Sequence, residues 1–506
     1  MLELNPLFTD GCVLCRGREI AVFGRAVPGK AVTVRLLDAS GAVTGETSCR
    51  AEADGGFLAW LPPAEAGTGL CLELESGEER LTVRDVAVGE VFLAGGQSNM
   101  ELALCNADGG PEEIAAHDDS LLRFFDVPKW ARPCPEADEA FASARWQHMT
   151  PGNAPWISAV AYWYGRKLRA WLRREAGDVP VGIIDCWWGG TSVTCWMDEE
   201  TLRSTEAGRR YLDEWAEKSD GVTMEAYLEA ERRFMADLDA WNARVAEVKR
   251  ELGADAPWAE IEKRAGVCPW YPPYGPGSQY RPAGLYRCML ERIMPVTVTA
   301  FLWYQGEEDT CRTDRYDLLM GQLIGLWRER FGGDAERPFL FVQLPGWGGA
   351  GDHEAWPRLR LQQQRVADAL RGVRLAVTLD LGDRENIHPT DKRPVGERLF
   401  GQALAAVYGR AAEEGPRAAA LRHLPGAVRV TLTAPIARGS RTDGLFELAG
   451  ADGVWHPAEV SADGRELTLC SETVPNPRRA RYGFFDWPET VLRGENGLPL
   501  APFDLN

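Results

Sequence analysis

The sequence predicts an α/β protein in which a parallel sheet with helices on both faces is flanked by β-rich regions and carries a helical insertion. Three observations predict it. Apolar runs at Val91–Ala94, Val181–Ile184, Val296–Trp303, Phe339–Val342 and Leu375–Leu379 alternate with helix-like stretches such as Ala159–Arg173 and Tyr316–Arg330. Strands that are apolar throughout belong to parallel sheets buried on both faces. Before them lie short alternating segments, Ala31–Leu36 and Phe57–Leu61, with the turn Ala53-Asp54-Gly55-Gly56 leading into the second; alternation with turn signals reads as antiparallel β structure. The same alternation returns in Val428–Leu432 and Glu466–Cys470.

In chain order these elements give an N-terminal β-sandwich-like domain over 1–88, an α/β domain over 89–410 with a helical insertion at 199–266, and a C-terminal β region over 411–506. At 506 residues more than one core is expected, since a domain averages about 150. In the insertion Met224, Tyr227, Leu228, Phe234, Met235, Leu238, Trp241, Val245 and Val248 fall on one helical face. Such a stripe usually packs against a core. The run Pro269-Trp270-Tyr271-Pro272-Pro273-Tyr274-Gly275-Pro276 ends the insertion as an irregular loop.

Charge and composition exclude several classes of function. With 56 basic against 75 acidic residues the formal charge is −19, which repels phosphate backbones and anionic lipid, so neither nucleic acid nor a membrane is an expected partner. No apolar run approaches the ~20 residues of a spanning helix. Met1-Leu2-Glu3-Leu4-Asn5 lacks the basic start of a signal peptide, and the chain as written is expected to be cytoplasmic. Twelve cysteines are too sparse for a disulfide scaffold, and Cys12-Val13-Leu14-Cys15 has neither a second pair nor a nearby His pair to complete a metal site. No metal or organic cofactor is expected.

Ligands of open parallel sheets bind beyond the carboxyl ends of the strands, and four such ends carry chemistry. Gly95-Gly96-Gln97-Ser98-Asn99-Met100 leaves a Ser where a helix begins, a position suited to a nucleophile and equally common as a plain helix cap. Asp185-Cys186-Trp187-Trp188-Gly189-Gly190-Thr191 allows close backbone approach to a bound group. Trp303-Tyr304-Gln305-Gly306-Glu307 offers a side-chain amide that can stabilise negative charge. Asp380-Leu381-Gly382-Asp383-Arg384-Glu385-Asn386-Ile387-His388-Pro389 follows the last strand. Of six histidines, only His388 stands behind three carboxylates at a strand end. Ser98 and His388 can meet above the sheet as nucleophile and base, with a carboxylate to orient the ring.

Gly96-Gln97-Ser98-Asn99-Met100, Trp188-Gly189-Gly190-Thr191, Trp303-Tyr304-Gln305-Gly306-Glu307 and Ile387-His388-Pro389 with Lys392 resemble the four blocks of the SGNH/GDSL hydrolase superfamily, in the form carried by sialate O-acetylesterases. The resemblance implies an SGNH-type flavodoxin-like sheet over 89–410 and a carboxylic ester hydrolase that removes O-acetyl groups from sugars. It implies Ser98 as nucleophile, His388 as general base and acid, and an oxyanion hole formed by the N–H groups of Ser98 and Gly189 with the Gln305 amide. The family's usual acid is an Asp three residues before the His; Glu385 stands there, with Asp383 and Asp380 as rivals. Cys15 stands where the family commonly has Gln.

Tryptophans beside the motifs, Trp187, Trp188, Trp196, Trp303 and Trp347, suit stacking on a sugar ring, with Trp188 expected to bind substrate. Arg281 or Arg360 is expected to hold a sialic acid carboxylate. The alternatives are an acetylxylan or other plant-polysaccharide acetylesterase and, from another class, a non-catalytic carbohydrate-binding protein.

Overall fold

The computed structural model describes residues 1–253, 258–269, 272–349, 353–442 and 444–506. The chain forms two compact units, one of Met1–Lys129, Glu139–Val193 and Ile293–Asn506, the other of Trp130–Asp138 and Thr194–Arg292.

The first unit is built on a sheet whose strands lie in the spatial order Gln147–Met149, Asp119–Asp126, Val181–Trp187, Glu79–Gly96, Ala300–Tyr304, Phe339–Val342, Val373–Ala376. All neighbours are parallel except Gln147–Met149. Each central strand is buried on both faces. On Ala300–Tyr304 the residues Ala300, Leu302 and Tyr304 join the core beneath helices Ala159–Glu175 and Arg393–Ala406. Phe301 and Trp303 face the other way, onto Trp327 of helix Tyr316–Arg330. Period-2 side-chain alternation inside a wholly apolar run therefore serves two cores at once.

After Glu79–Gly96 the chain builds leftward to Val181–Trp187 and then crosses to Ala300–Tyr304 on the right. The strand order reverses at Glu79–Gly96, and the crevice beyond such a reversal is where doubly wound sheets hold ligands. Gly96 is pinned on both sides, paired with Trp187 and Tyr304. Its φ is 137°, and a Cβ there would stand 2.1 Å from the Tyr304 carbonyl oxygen.

Glu79–Gly96 is one unbroken 18-residue strand. Its first half pairs antiparallel with Gly67–Ser76 in the N-terminal β region and its second half lies in the main sheet, so the expected boundary at 88/89 falls inside a continuous strand. The C-terminal region folds as two four-stranded antiparallel sheets over a core including Val428, Val430, Leu467, Leu469, Phe446 and Tyr482. It is fastened to the main sheet by Arg493 on Asp380 and by Arg360, which donates to the carbonyls of Gly483, Phe485 and Asp486.

In the second unit, Met224–Leu252 is a 29-residue helix capped by Thr223, whose hydroxyl accepts from Ala226 N–H. The expected apolar stripe lies on it but is only partly covered. Tyr227, Trp241 and Val248 are buried, whereas Met224 and Met235 are exposed. Val248 packs on Ile261 and Ala265 of the following helix, Trp258–Ala265. Of the Pro- and Tyr-rich loop, Trp270 and Tyr271 lie outside the described residues.

Because the Tyr304 backbone cannot retreat from a side chain at Gly96, Gly96→Ala should lower the unfolding free energy by about 3 kcal/mol. Gly17→Ala, at a φ of 68° with nothing within 4 Å, should cost about 1 kcal/mol. Thermal melts of the two variants should separate clearly, with Gly96→Ala the lower.

Candidate active site

At the end of Glu79–Gly96, Gln97 N–H donates to the Tyr304 carbonyl and the chain turns into the short helix Ser98–Glu101. This lifts Ser98 to the rim of the sheet, half-buried. Its Oγ lies 2.7 Å from His388 Nε2. The Ser98 N–H donates to no acceptor among the described residues, so it remains available to a developing oxyanion.

His388 arrives on the loop after Val373–Ala376, and that loop is fixed by hydrogen bonds. Asn386 Oδ1 accepts from His388 N–H at 2.9 Å, and Asn386 Nδ2 donates to the His388 carbonyl at 2.8 Å. Asn99, beside Ser98, donates from Nδ2 to the Ile387 carbonyl at 3.0 Å and to Glu307 Oε1, while its Oδ1 accepts from Lys392 Nζ. One buried amide thus ties the serine turn to the histidine loop. Burial raises the Glu307 carboxyl above its ordinary value and pulls the Lys392 ammonium down to about 7. Burial, with the Lys392 charge nearby, also lowers His388 to about 4, so the imidazole is neutral and ready to accept a proton across the neutral range.

The expectation of Glu385 as the orienting acid is corrected by the structure. Glu385 is exposed, and among the described residues His388 pairs with no carboxylate. The rivals are occupied as well: Asp383 Oδ1 accepts from the N–H groups of Glu385 and Asn386, and Asp380 is bound by Arg398 and Arg493. The arrangement is a Ser98–His388 dyad. Asp383, five residues before the His, uses its carboxylate on the backbone of its own turn, which sequence spacing cannot reveal.

Two further expectations are corrected. Gln305 is fully buried, and its Nε2 donates to the Thr191 carbonyl at 3.1 Å and to Asp309 Oδ2 at 2.6 Å. Its Oε1 accepts from Tyr316 at 3.1 Å. The amide braces the Gly189-Gly190-Thr191 turn and does not face the cleft. Arg360 is likewise fully buried, its guanidinium spent on three backbone carbonyls and its pKa lowered by burial to about 9. It is a fastener of the C-terminal region and no substrate ligand. Arg281 belongs to the second compact unit.

Gly189 is where the motif placed it. A Cβ on it would stand 3.2 Å from Ser98 Cβ, so Gly189 lies close to Ser98, and its N–H donates to Glu101 Oε2 at 2.5 Å. Ser98 and His388 open onto a cleft of about 680 Å³ lined also by Glu101, Leu102, Ala103, Asn106, Asp126, Lys129, Trp156 and Trp187. Of the tryptophans expected beside the motifs, Trp187 lines the cleft, and Trp188 is not among its lining residues. Trp303 and Trp196 are core residues, while Trp156 is 71% exposed at the cleft. Burial raises the Asp126 carboxyl to about 6. Sequence reasoning passed over Asp126, Lys129 and Trp156. The signal was Leu121-Leu122-Arg123-Phe124-Phe125-Asp126, an apolar strand with a carboxylate at its end, disguised by the inward Arg123 that caps the Gly11 and Asp85 carbonyls. No group of three or more His, Cys, Asp or Glu side chains is placed to hold a metal ion among the described residues.

Two measurements check the dyad. With p-nitrophenyl acetate, His388→Ala should lose a thousandfold or more in kcat, whereas Glu385→Gln should stay within about threefold of the parent. The rate needs the neutral ring, which is present above the folded-state pKa and lost as pH falls through it. The acid limb of kcat/KM should therefore lie near pH 4, well below the ordinary histidine value.

The comparisons with known proteins fall on this arrangement. A family model described as carbohydrate esterase, sialic acid-specific acetylesterase, matches residues 274–410. The chain is 25% identical to the sialate O-acetylesterase of Mus musculus over 531 residues, covering 95% of this chain and 90% of that one. It is 25% identical to that of Homo sapiens over 528 residues, covering 95% and 88%. Among solved structures, a carbohydrate acetylesterase from Xanthomonas citri superposes with a TM-score of 0.77 at 28% identity, covering 100% of both chains. The chain is thus similar to sialate O-acetylesterases over 95% of its length, and to a carbohydrate acetylesterase over all of it.

Proposed function

We propose that the protein is a serine esterase that removes O-acetyl groups from sialic acids through an acetyl-Ser98 intermediate. The observation that carries the reading is the 2.7 Å contact between Ser98 Oγ and His388 Nε2, opening on a cleft with an exposed Trp156. In the first half-reaction Ser98 Oγ attacks the acetyl carbonyl while its proton passes to His388 Nε2. The carbonyl oxygen becomes an oxyanion facing the N–H groups of Ser98 and Gly189. Collapse breaks the bond to the sugar oxygen, which takes the proton from His388. In the second half a water gives its proton to His388 and attacks the acetyl-serine; acetate leaves and the proton returns to Ser98 Oγ.

The cleft supports a carbohydrate leaving group. The exposed indole of Trp156 offers an apolar face with a polar edge, the shape that stacks on a sugar ring. Trp187 also lines the cleft, and its bulk favours a short acyl group such as acetyl over longer chains.

The test is acetate release from three substrates: O-acetylated sialic acid, acetylated xylo-oligosaccharides and p-nitrophenyl acetate, with acid-quenched enzyme searched by mass spectrometry for acetyl on Ser98. Faster turnover of the acetylated sialic acid, with the adduct on Ser98, is expected. Faster turnover of the xylo-oligosaccharides replaces the sialate reading by a plant-polysaccharide one, and no turnover of any of the three sinks the esterase reading. Stacking contributes about 0.5–1.5 kcal/mol, so Trp156→Ala should raise KM for the sugar ester about 2- to 13-fold relative to its effect on p-nitrophenyl acetate.

A further inference from the structure

In this structure one donor of the oxyanion hole is already taken. The Gly189 N–H, one of the two donors available to the oxyanion, is held by Glu101 Oε2. Glu101 sits three residues after the nucleophile on the same helical turn, and its other oxygen, Oε1, accepts from Lys129 Nζ. The Lys129 ammonium also lies 4.2 Å from the centroid of the Trp187 ring. All three side chains line the cleft that holds Ser98 and His388, and Lys129 is the cation among its lining residues. A carboxylate in this place opposes the reaction twice. It takes a hydrogen-bond donor that the transition state needs, and it sets a like charge beside the forming oxyanion.

We propose that Glu101 and Lys129 form an electrostatic latch on the oxyanion hole, opened when the carboxylate of an anionic sugar takes Lys129 away from Glu101. The proposal rests on the sialate reading above. A substrate can shift such an equilibrium only through a group that distinguishes its two states. The carboxylate of a sialic acid does so, because it competes with Glu101 for the Lys129 ammonium. Once unpaired, Glu101 keeps Asp126 as an acidic neighbour in the cleft and has lost the cation that held it over Gly189. It swings toward solvent, and Gly189 N–H turns to the acetyl oxygen. A neutral ester has no group to draw Lys129 off and reacts through the small fraction of enzyme whose latch is open. Recognition of the acidic sugar and completion of the hole are then one event. Lys129 supplies the specificity, and Glu101 is a positioning residue that acts through Gly189.

The experiment measures kcat/KM for O-acetylated sialic acid and for p-nitrophenyl acetate on the parent, Glu101→Ala and Lys129→Met, with thermal melts to confirm that each variant folds. Glu101→Ala should raise kcat/KM for p-nitrophenyl acetate five- to tenfold and shrink the preference for the sialic acid ester. Lys129→Met should lower the ratio of sialic acid ester to neutral ester at least tenfold, mainly through KM. A folded Glu101→Ala that loses turnover of both substrates overturns the latch, as does a Lys129→Met whose ratio equals the parent's. Failure of the substrate reading looks different: the parent itself then prefers neutral acetylated xylo-oligosaccharides, whatever Glu101→Ala does. That outcome removes the anionic trigger as well.

Discussion

The site depends on how tightly three strand ends are clamped together. Gly96 stands between Trp187 and Tyr304 as their direct partner in the sheet, Gln97 N–H donates to the Tyr304 carbonyl, and Trp188 N–H donates to the Gly96 carbonyl. Neighbouring strands are about 4.8 Å apart, so the residues that follow these ends must emerge side by side. Ser98 and the Gly189 amide are close for that reason, and no side chain at Gly96 would allow it. The catalytic geometry is thus a property of backbone packing first and of side chains second.

On that frame a single amide performs the remaining alignment. Asn99 uses both ends of its side chain, accepting from Lys392 and donating to Glu307 and to the Ile387 carbonyl. Buried polar groups are costly unless satisfied, and a satisfied network is correspondingly rigid. The rigidity falls where it is needed, between the nucleophile turn and the loop that presents His388. It also accounts for a histidine without a carboxylate partner. Asn386 holds the His388 backbone, Ser98 meets the ring, and burial with Lys392 keeps that ring neutral. An imidazole held near 4 is a weak base, which places more of the work of stabilising the transition state on the oxyanion donors. The competition between Glu101 and the oxyanion for the Gly189 N–H therefore bears directly on rate.

Electrostatics sharpen the point. A chain of formal charge −19 repels anionic ligands over most of its surface. Within the cleft, Lys129 is the local exception, already neutralised by Glu101 and shielded on one side by Trp187. A buried or half-buried cation of this kind discriminates by exchange of partners more than by attraction at a distance, since solvent ions screen the latter.

The sequence by itself determined the parallel sheet, its two helical layers, the β-rich flanks and the helical insertion, because apolar runs and their periods are local statements about burial. It also determined the meeting of Ser98 and His388, because both follow strands and strand ends of one parallel sheet open on the same side. What it could not determine is where a polar side chain spends its hydrogen bonds. Glu385, Gln305 and Arg360 have the residue types their expected roles require, yet Glu385 points to solvent, Gln305 braces the Thr191 turn and Arg360 fastens the C-terminal region. The same freedom hid Lys129, Trp156 and Glu101, whose importance comes only from lining one cleft. Apolar burial is fixed by neighbours along the chain, whereas a polar group's partner is chosen among residues brought together from distant segments, and only the tertiary structure makes that choice.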